Sequence, residues 1–276
     1  MNKKSLILII LIFISFNAYT LNFNADEESL IYKVLDQRLG LRHFDTVDEC
    51  ISKAFEIEAS AYKDPIYNEA SEEFKLTIEN LLKTARYNCI YEKDMKSPEL
   101  KTLMLQQYEK ILAYNKDNPM ENRNPWYNVT SADIINSTMQ FLPQSQAIKL
   151  GLEEKEMYDS MMMKYPDFSY LFINSGLWYM FAPAIGGGSD TKAMEYFQHA
   201  LDTTKSDYEE YYAAIYYSQL LFDKKKNAKS QELLNRADKL LPGKRYIKLI
   251  NLLNDNGYSV FYYTNNREKV DKKLGL

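Results

Sequence analysis

Glycine and proline are scarce in this chain, nine and eight residues among 276, and no run shows the period-two alternation of a half-buried strand. Leu, Lys, Glu, Ala, Met and Tyr are plentiful instead, a balance that favours helices over strands. Only two histidines occur, His43 and His199. Neither has a second His or Cys at a spacing suited to zinc, so both read as ordinary surface or boundary side chains. No Ser, His and acid grouping stands out. The carboxylate clusters Glu153-Glu154-Glu156 and Glu209-Glu210 read as solvated helix faces or first-turn charges. These absences leave the sequence with no assignable catalytic residue, metal ligand or cofactor, and it is read as a non-enzyme.

Positive charge is also in short supply. Removing residues 1–20 takes away Lys3 and Lys4 and moves the formal net charge from −4 to −6, which argues against a nucleic-acid partner. That leading segment, MNKKSLILIILIFISFNAYT, has the parts of a secretory signal: two lysines, an apolar run over residues 6–16, and a small-residue exit at Ala18 and Thr20. The run is short for a bilayer span. Export to the periplasm or the medium is therefore expected, with no membrane span after cleavage and a retained anchor as the competing reading. No Cys follows the run, so lipid attachment is not supported.

Cysteine is limited to Cys50 and Cys89. In an oxidising compartment such a pair is read as a disulfide, with two free buried thiols as the alternative. Cys50 falls near the start of one predicted helix and Cys89 near the end of the next, ends that an antiparallel hairpin brings together. Closing that loop would contribute about 4 kcal/mol in the chain-entropy picture.

What is present is apolar periodicity of three and four residues almost throughout. The fold class is all-α, with helices expected over residues 26–38, 45–61, 66–90, 98–115, 129–141, 144–164, 167–182, 190–204, 207–223, 226–241 and 244–255. Breaks fall at Asp64-Pro65, Ser97-Pro98, Leu142-Pro143, Tyr165-Pro166, Ala182-Pro183 and Leu241-Pro242-Gly243. The polar stretch 115–128, NKDNPMENRNPWYN, separates an amino-terminal helical region, residues 21–118, from a carboxy-terminal one, residues 119–276. It is read as a loop within one elongated body.

The segment FAPAIGGGSDTKAMEYFQHAL, residues 181–201, holds three consecutive glycines but lacks the Lys-Ser/Thr pair that a phosphate loop needs directly after its last Gly. Gly186-Gly187-Gly188 is therefore a lengthened helix-to-helix turn, with Ser189 or Asp190 capping the next helix. Ala193, Phe197 and Ala200 stand at the spacing A-x3-F-x2-A, and Ser230, Leu234 and Ala237 repeat it, followed by Pro242. Upstream, Gly176 and Ser218 supply small residues that let two helices approach closely.

These residues resemble the tetratricopeptide repeat, whose period is 34 residues. Residues 211–244 fit its register without a gap, through Ser218, Leu221, Ser230, Leu234, Ala237 and Pro242. Residues 169–205 fit as a second copy through Phe172, Gly176, Tyr179, Ala193, Phe197 and Ala200. That copy departs in having Lys205 where the family has Pro and several extra residues between its helices. A weaker third copy, carried by Tyr158 and Met161, ends at Tyr165-Pro166. With its secretory signal, the chain also looks like bacterial exported tetratricopeptide proteins, and it is more distantly similar to the periplasmic T-component associated with TRAP transporters.

The resemblance implies antiparallel helical hairpins stacked as a right-handed solenoid, with a groove lined by the first helix of each pair. Carried over by position, that lining is Tyr170, Ile173, Leu177 and Met180 in one copy and Tyr212, Ile215, Gln219 and Phe222 in the next. The face is apolar and aromatic. It implies a scaffold for a protein or peptide partner, or alternatively a small-molecule or lipid-binding accessory of a transporter that holds a small apolar ligand. Whether the chain's own amino-terminal helices cover it is left open.

Overall fold

A computed structural model describes residues 23–276. The expected signal, residues 1–20, lies outside the described residues. Among the described residues there are fourteen α-helices, three short 3-10 turns and no strand. The protein is all-α, and its helices stack in a solenoid-like succession.

The first half is built by strong caps. Helix α1 (Ala25–Gly40) and α2 (Val47–Ala61) each begin with a capping box, Asn24 with Glu27 and Thr46 with Glu49. The 3-10 turn Leu41–His43 joins them. Helix α3 (Pro65–Glu69) opens with Pro at its first position, which costs nothing there because that N–H has no helical partner. The single helix expected over 66–90 is in fact two. Ala70 is extended, and Ser71 accepts from the Phe74 amide to start α4 (Glu72–Lys93) afresh. Helix α5 (Pro98–Asp117) follows. Helix α6 (Pro125–Met139) starts four residues before the expected position. Asn124 caps it at 2.8 Å from the Trp126 amide, and the polar-looking stretch buries Trp126 and Tyr127 completely.

The second half runs through α7 (Gln144–Lys164), α8 (Ser169–Phe181), α9 (Asp190–Asp202), α10 (Asp207–Asp223) and α11 (Asn227–Leu240). Helices α8 to α11 pack each on the next, as two hairpins in series. The small positions act as their spacing predicts. The Phe197 ring lies against Gly176, where an added Cβ would come within 2.5 Å of it. Ser218 and Ser230, both buried, meet hydroxyl to hydroxyl at 3.3 Å. Ala193, Phe197, Ala200 and Ala237 are fully buried. The triple glycine is a turn: Gly187 has φ +101°, the Gly188 amide donates to Pro183 O, and Ser189 caps α9.

Three further helices complete the chain: α12 (Arg245–Asp255), α13 (Val260–Asn265) and α14 (Arg267–Leu274). The last two were not anticipated. The main hydrophobic core runs from Leu30 to Val270 and so draws on both ends of the chain. A second cluster lies among α4, α5 and α6, and a third surrounds Phe197. The ends of the chain also pack far along it: α1 on α4 and α10, and α13 on α10.

Two expectations need correction. Cys50 and Cys89 are brought together across α2 and α4, but both are free buried thiols here, not the expected disulfide. Cys50 Sγ donates to Leu41 O at 3.1 Å. Glu154 is not on a solvated face. Glu153 and Glu156 are exposed as expected, whereas Glu154 turns inward with 4% of its surface accessible.

Candidate functional site: the inner tyrosine face

Helix α10 presents Tyr208, Tyr212 and Tyr216 at four-residue spacing, so their rings stand one above another on the face turned toward α1. The ring centroids are 4.6 Å apart for Tyr208–Tyr212 and 5.7 Å for Tyr212–Tyr216. Tyr170 of α8 extends the row at 6.2 Å from Tyr208, and Phe261 of α13 closes it at 6.2 Å from Tyr216. Tyr170 and Tyr212 of this row are also groove positions of the repeat register.

The chain fills much of it with its own arginines. On α1, Ile31, Val34, Leu35 and Arg38 share one stripe, and the stripe faces the core. Arg38 therefore enters with the apolar residues. Its guanidinium lies 5.0 Å above the Tyr208 ring and donates to Tyr170 Oη at 3.3 Å, while Tyr170 Oη donates to Asp133 Oδ2 at 2.6 Å. One helical turn on, half-buried Arg42 donates from Nε to Tyr212 Oη at 2.9 Å, stacks 4.4 Å from the Tyr246 ring and pairs with Glu92. Glu92 also pairs with Arg245 of α12, whose Nη2 lies 3.6 Å from Cys50 Sγ. A guanidinium over an aromatic face gains electrostatic attraction that grows as water is excluded.

Charge in this seam follows from burial and neighbours. Burial works against the Arg38 cation, but Tyr208, Tyr170 and Asp133 more than offset it, so the guanidinium stays charged. Burial pushes the Asp133 carboxyl up to about 6, with Arg38 and the Tyr170 hydroxyl opposing. Glu154 is held well above the usual carboxylate range, first by burial and then by the neighbouring Asp133 carboxylate, with Asn136 opposing. The result is a buried acid pair with one cation, in which burial pushes both carboxyls toward their protonated forms.

Of the eight groove positions, Tyr170, Ile173, Tyr212, Ile215 and Gln219 are buried. Arg38 and Arg42 cover the tyrosines, and Gln219 Oε1 accepts from the Val260 amide at 3.0 Å, beneath α13. Leu177, Met180 and Phe222 remain half-buried, and Phe181 beside Met180 is 48% exposed. The inner face is thus closed along α1 and α13 and open only toward the last turns of α8 and α10. Arg38, Arg42, Glu92, Asp133 and Arg245 were not singled out from the sequence. For Arg38 a signal existed, its place on the apolar stripe of α1.

Chemically, the seam offers hydrogen bonding and aromatic packing without an exposed nucleophile or acid–base pair. His199 lies with Nε2 2.6 Å from Pro166 O and its ring 4.2 Å from Phe172, which makes it a packing residue. Among the described residues no cluster of His, Cys, Asp and Glu is arranged to hold a metal ion. Two surface clefts lie elsewhere. One, between α4 and α5, is lined by Lys83, Arg86 and Lys110, which already pair with Glu58, Glu99 and Glu79. The other lies between α9 and α11 and is also rich in charged side chains.

These features define an all-α protein of stacked helical hairpins whose inner face is largely self-filled. No protein-family model matches the chain, and no curated protein matches it.

Proposed function

We propose that the protein is a non-enzymatic exported scaffold of the tetratricopeptide type, which binds a protein or peptide partner at the open end of its inner face. The observation that carries this reading is the contrast along that face. Tyr170 and Tyr212 are engaged by Arg38 and Arg42, whereas Leu177, Met180 and Phe222 are only half-buried, next to exposed Phe181. Apolar and aromatic side chains left partly open beside a rigid scaffold are what a short docking segment covers. The repeat register supports the same reading through the close packing of Gly176 on Phe197 and of Ser218 on Ser230. Export rests on the composition of residues 1–20.

The second reading, a transporter accessory holding a small apolar ligand, gains less support. The two described clefts are lined mainly by charged and polar side chains and lie away from the tyrosine row.

The test is site-specific crosslinking in the native host. A photoreactive phenylalanine analogue at Phe222 is expected to give one discrete protein adduct, which disappears when Met180→Asp is added. The same analogue at exposed Lys229 on α11 is expected to give none. Equal adducts from both positions would remove the inner face as the binding surface.

A further inference from the structure

Charge is not spread evenly along this chain. Residues 21–223 hold nineteen Lys and Arg against thirty-three Asp and Glu, whereas residues 224–276 hold thirteen against five. Much of that surplus sits on the last helices. Among the described residues, Lys244, Lys248, Lys269, Lys272 and Lys273 meet no carboxylate. Lys269 and Lys273 reach tyrosine hydroxyls instead, Tyr262 at 3.5 Å and Tyr258 at 2.7 Å. The nearby acids are already engaged: Glu92 by Arg42 and Arg245, Glu268 by Lys96, and Asp271 by Arg267. Arg245 of α12 and Arg267 of α14 converge on Glu92, so the lysines of these two helices belong to one end of the molecule.

Apolar side chains stand open among those cations. Leu252, one turn from Lys248 on α12, is exposed, as are Tyr262 and Leu276. Tyr258 and Tyr262 stack with ring centroids 5.3 Å apart, and Lys273 Nζ lies 5.2 Å from the centre of the Tyr258 ring. Lysines interleaved with exposed apolar and aromatic groups match an interface where negative charge overlies hydrocarbon. A carboxylate-rich protein would use the lysines and leave Leu252 and Leu276 without a role.

We propose that the face formed by α12, α13 and α14 is a peripheral docking surface for an anionic phospholipid bilayer. The lysines approach the lipid phosphates, while Leu252, Tyr262 and Leu276 enter the headgroup layer. The same bilayer repels the acidic remainder of the chain. That opposition orients the molecule, with its last helices on the membrane and residues 21–223 turned away.

The test is co-sedimentation of residues 21–276, which include every described helix, with two kinds of vesicle. One holds phosphatidylglycerol and phosphatidylcholine in equal parts, the other phosphatidylcholine alone. Binding is expected to the anionic vesicles only and should fall steeply as salt is raised. The triple variant Lys248→Gln, Lys269→Gln, Lys272→Gln should bind roughly ten- to hundredfold more weakly, each lysine accounting for roughly fivefold. The same change at exposed Lys101, Lys116 and Lys164, on α5 and α7, removes equal charge and should leave binding within about twofold. Tyr262→Trp should be quenched by brominated phosphatidylglycerol beyond the signal that Trp126 and Trp178 give in the wild type. Circular dichroism checks that each variant is folded. Equal binding to phosphatidylcholine, equal loss in both triple variants, or an unquenched Tyr262→Trp on vesicles that hold the chain would each overturn the proposal. Capture by polyglutamate with no retention on anionic vesicles would overturn it in favour of an acidic protein partner.

Discussion

Burial pushes the Glu154 carboxyl toward its protonated form inside the protein, and the sign of its effect on stability follows from that. Its carboxyl ionises in the usual acidic range when the chain is unfolded but is held well above that range when folded, by burial and by Asp133. Its contribution is therefore fully present below the unfolded value and is lost as pH rises toward the folded one, by about 1.4 kcal/mol per pH unit while only the folded chain holds the proton. Gln at this position keeps the shape and has no proton to lose. Glu154→Gln is expected to match the wild type near pH 4 and to exceed it in melting temperature by a growing margin toward pH 8. Thermal melts across that range decide it, and a margin that does not grow with pH would mean Glu154 is ionised in place. The glycines of the α8–α9 turn separate in a similar way. At Gly186 an added Cβ would make only an ordinary contact, 3.9 Å from Pro183 Cδ, so Gly186→Ala should change stability by under about 0.5 kcal/mol. At Gly188 an added Cβ would lie 1.8 Å from Ala182 O, so Gly188→Ala must shift backbone and should cost about 1–3 kcal/mol.

At the scale of the element, α1 is the helix that decides whether the inner face is a groove. Arg38 is one of its buried residues and bridges through Tyr170 to Asp133. Arg38→Ala strands an acid beside an empty volume, and a loss of about 3–5 kcal/mol is expected in chemical denaturation. Arg38→Met combined with Asp133→Asn removes both charges and fills the space, so it should recover most of that loss. If the double variant is as unstable as Arg38→Ala, the charge is not what joins α1 to the repeats. Much of this arrangement was legible beforehand. Helices such as 144–164 and 207–223 were readable because a Pro or Ser cap, an apolar stripe and a breaker coincided. The α3–α4 break was missed because Ser71 looks like any polar residue until its hydroxyl meets the Phe74 amide. Arg38 was missed for a different reason. A charge on an apolar stripe has meaning only once the facing helix is known, and α10 lies 170 residues further along. The groove positions were carried over from the repeat register, and what covers Tyr170, Tyr212 and Gln219 is a long-range contact that the register does not encode.

At the scale of the whole molecule, the chain's last helices hold its two halves together. Arg267 of α14 donates to the carbonyls of Tyr91 and Glu92, at the end of α4, where unpaired acceptors and the helix dipole favour a cation. Just before it, the Val260 amide meets Gln219 Oε1, Ser259 donates to Asp223 at 2.9 Å, and Phe261 stacks on Tyr216. Residues 257–276 therefore clamp α10 on one side and α4 on the other. Val260, Phe261 and Val270 are buried, and their loss would forgo about 4–8 kcal/mol of apolar burial, less whatever ordering the segment no longer has to undergo. Deleting residues 257–276 should leave the helices of the first half in place and lower the melting temperature. It should also raise amide hydrogen exchange in residues 216–223 of α10 far more than in α5, because α13 packs on α10 and nothing from the deleted segment is buried in the α5 core cluster. The same deletion uncovers Gln219 and Tyr216, so the photoreactive analogue at Phe222 should still find its partner and find it through a wider mouth, with a higher adduct yield. A truncated chain with α10 exchange unchanged would show that the clamp carries no stability. A truncated chain with faster exchange but no adduct would show instead that α13 is part of the docking surface and not its cover.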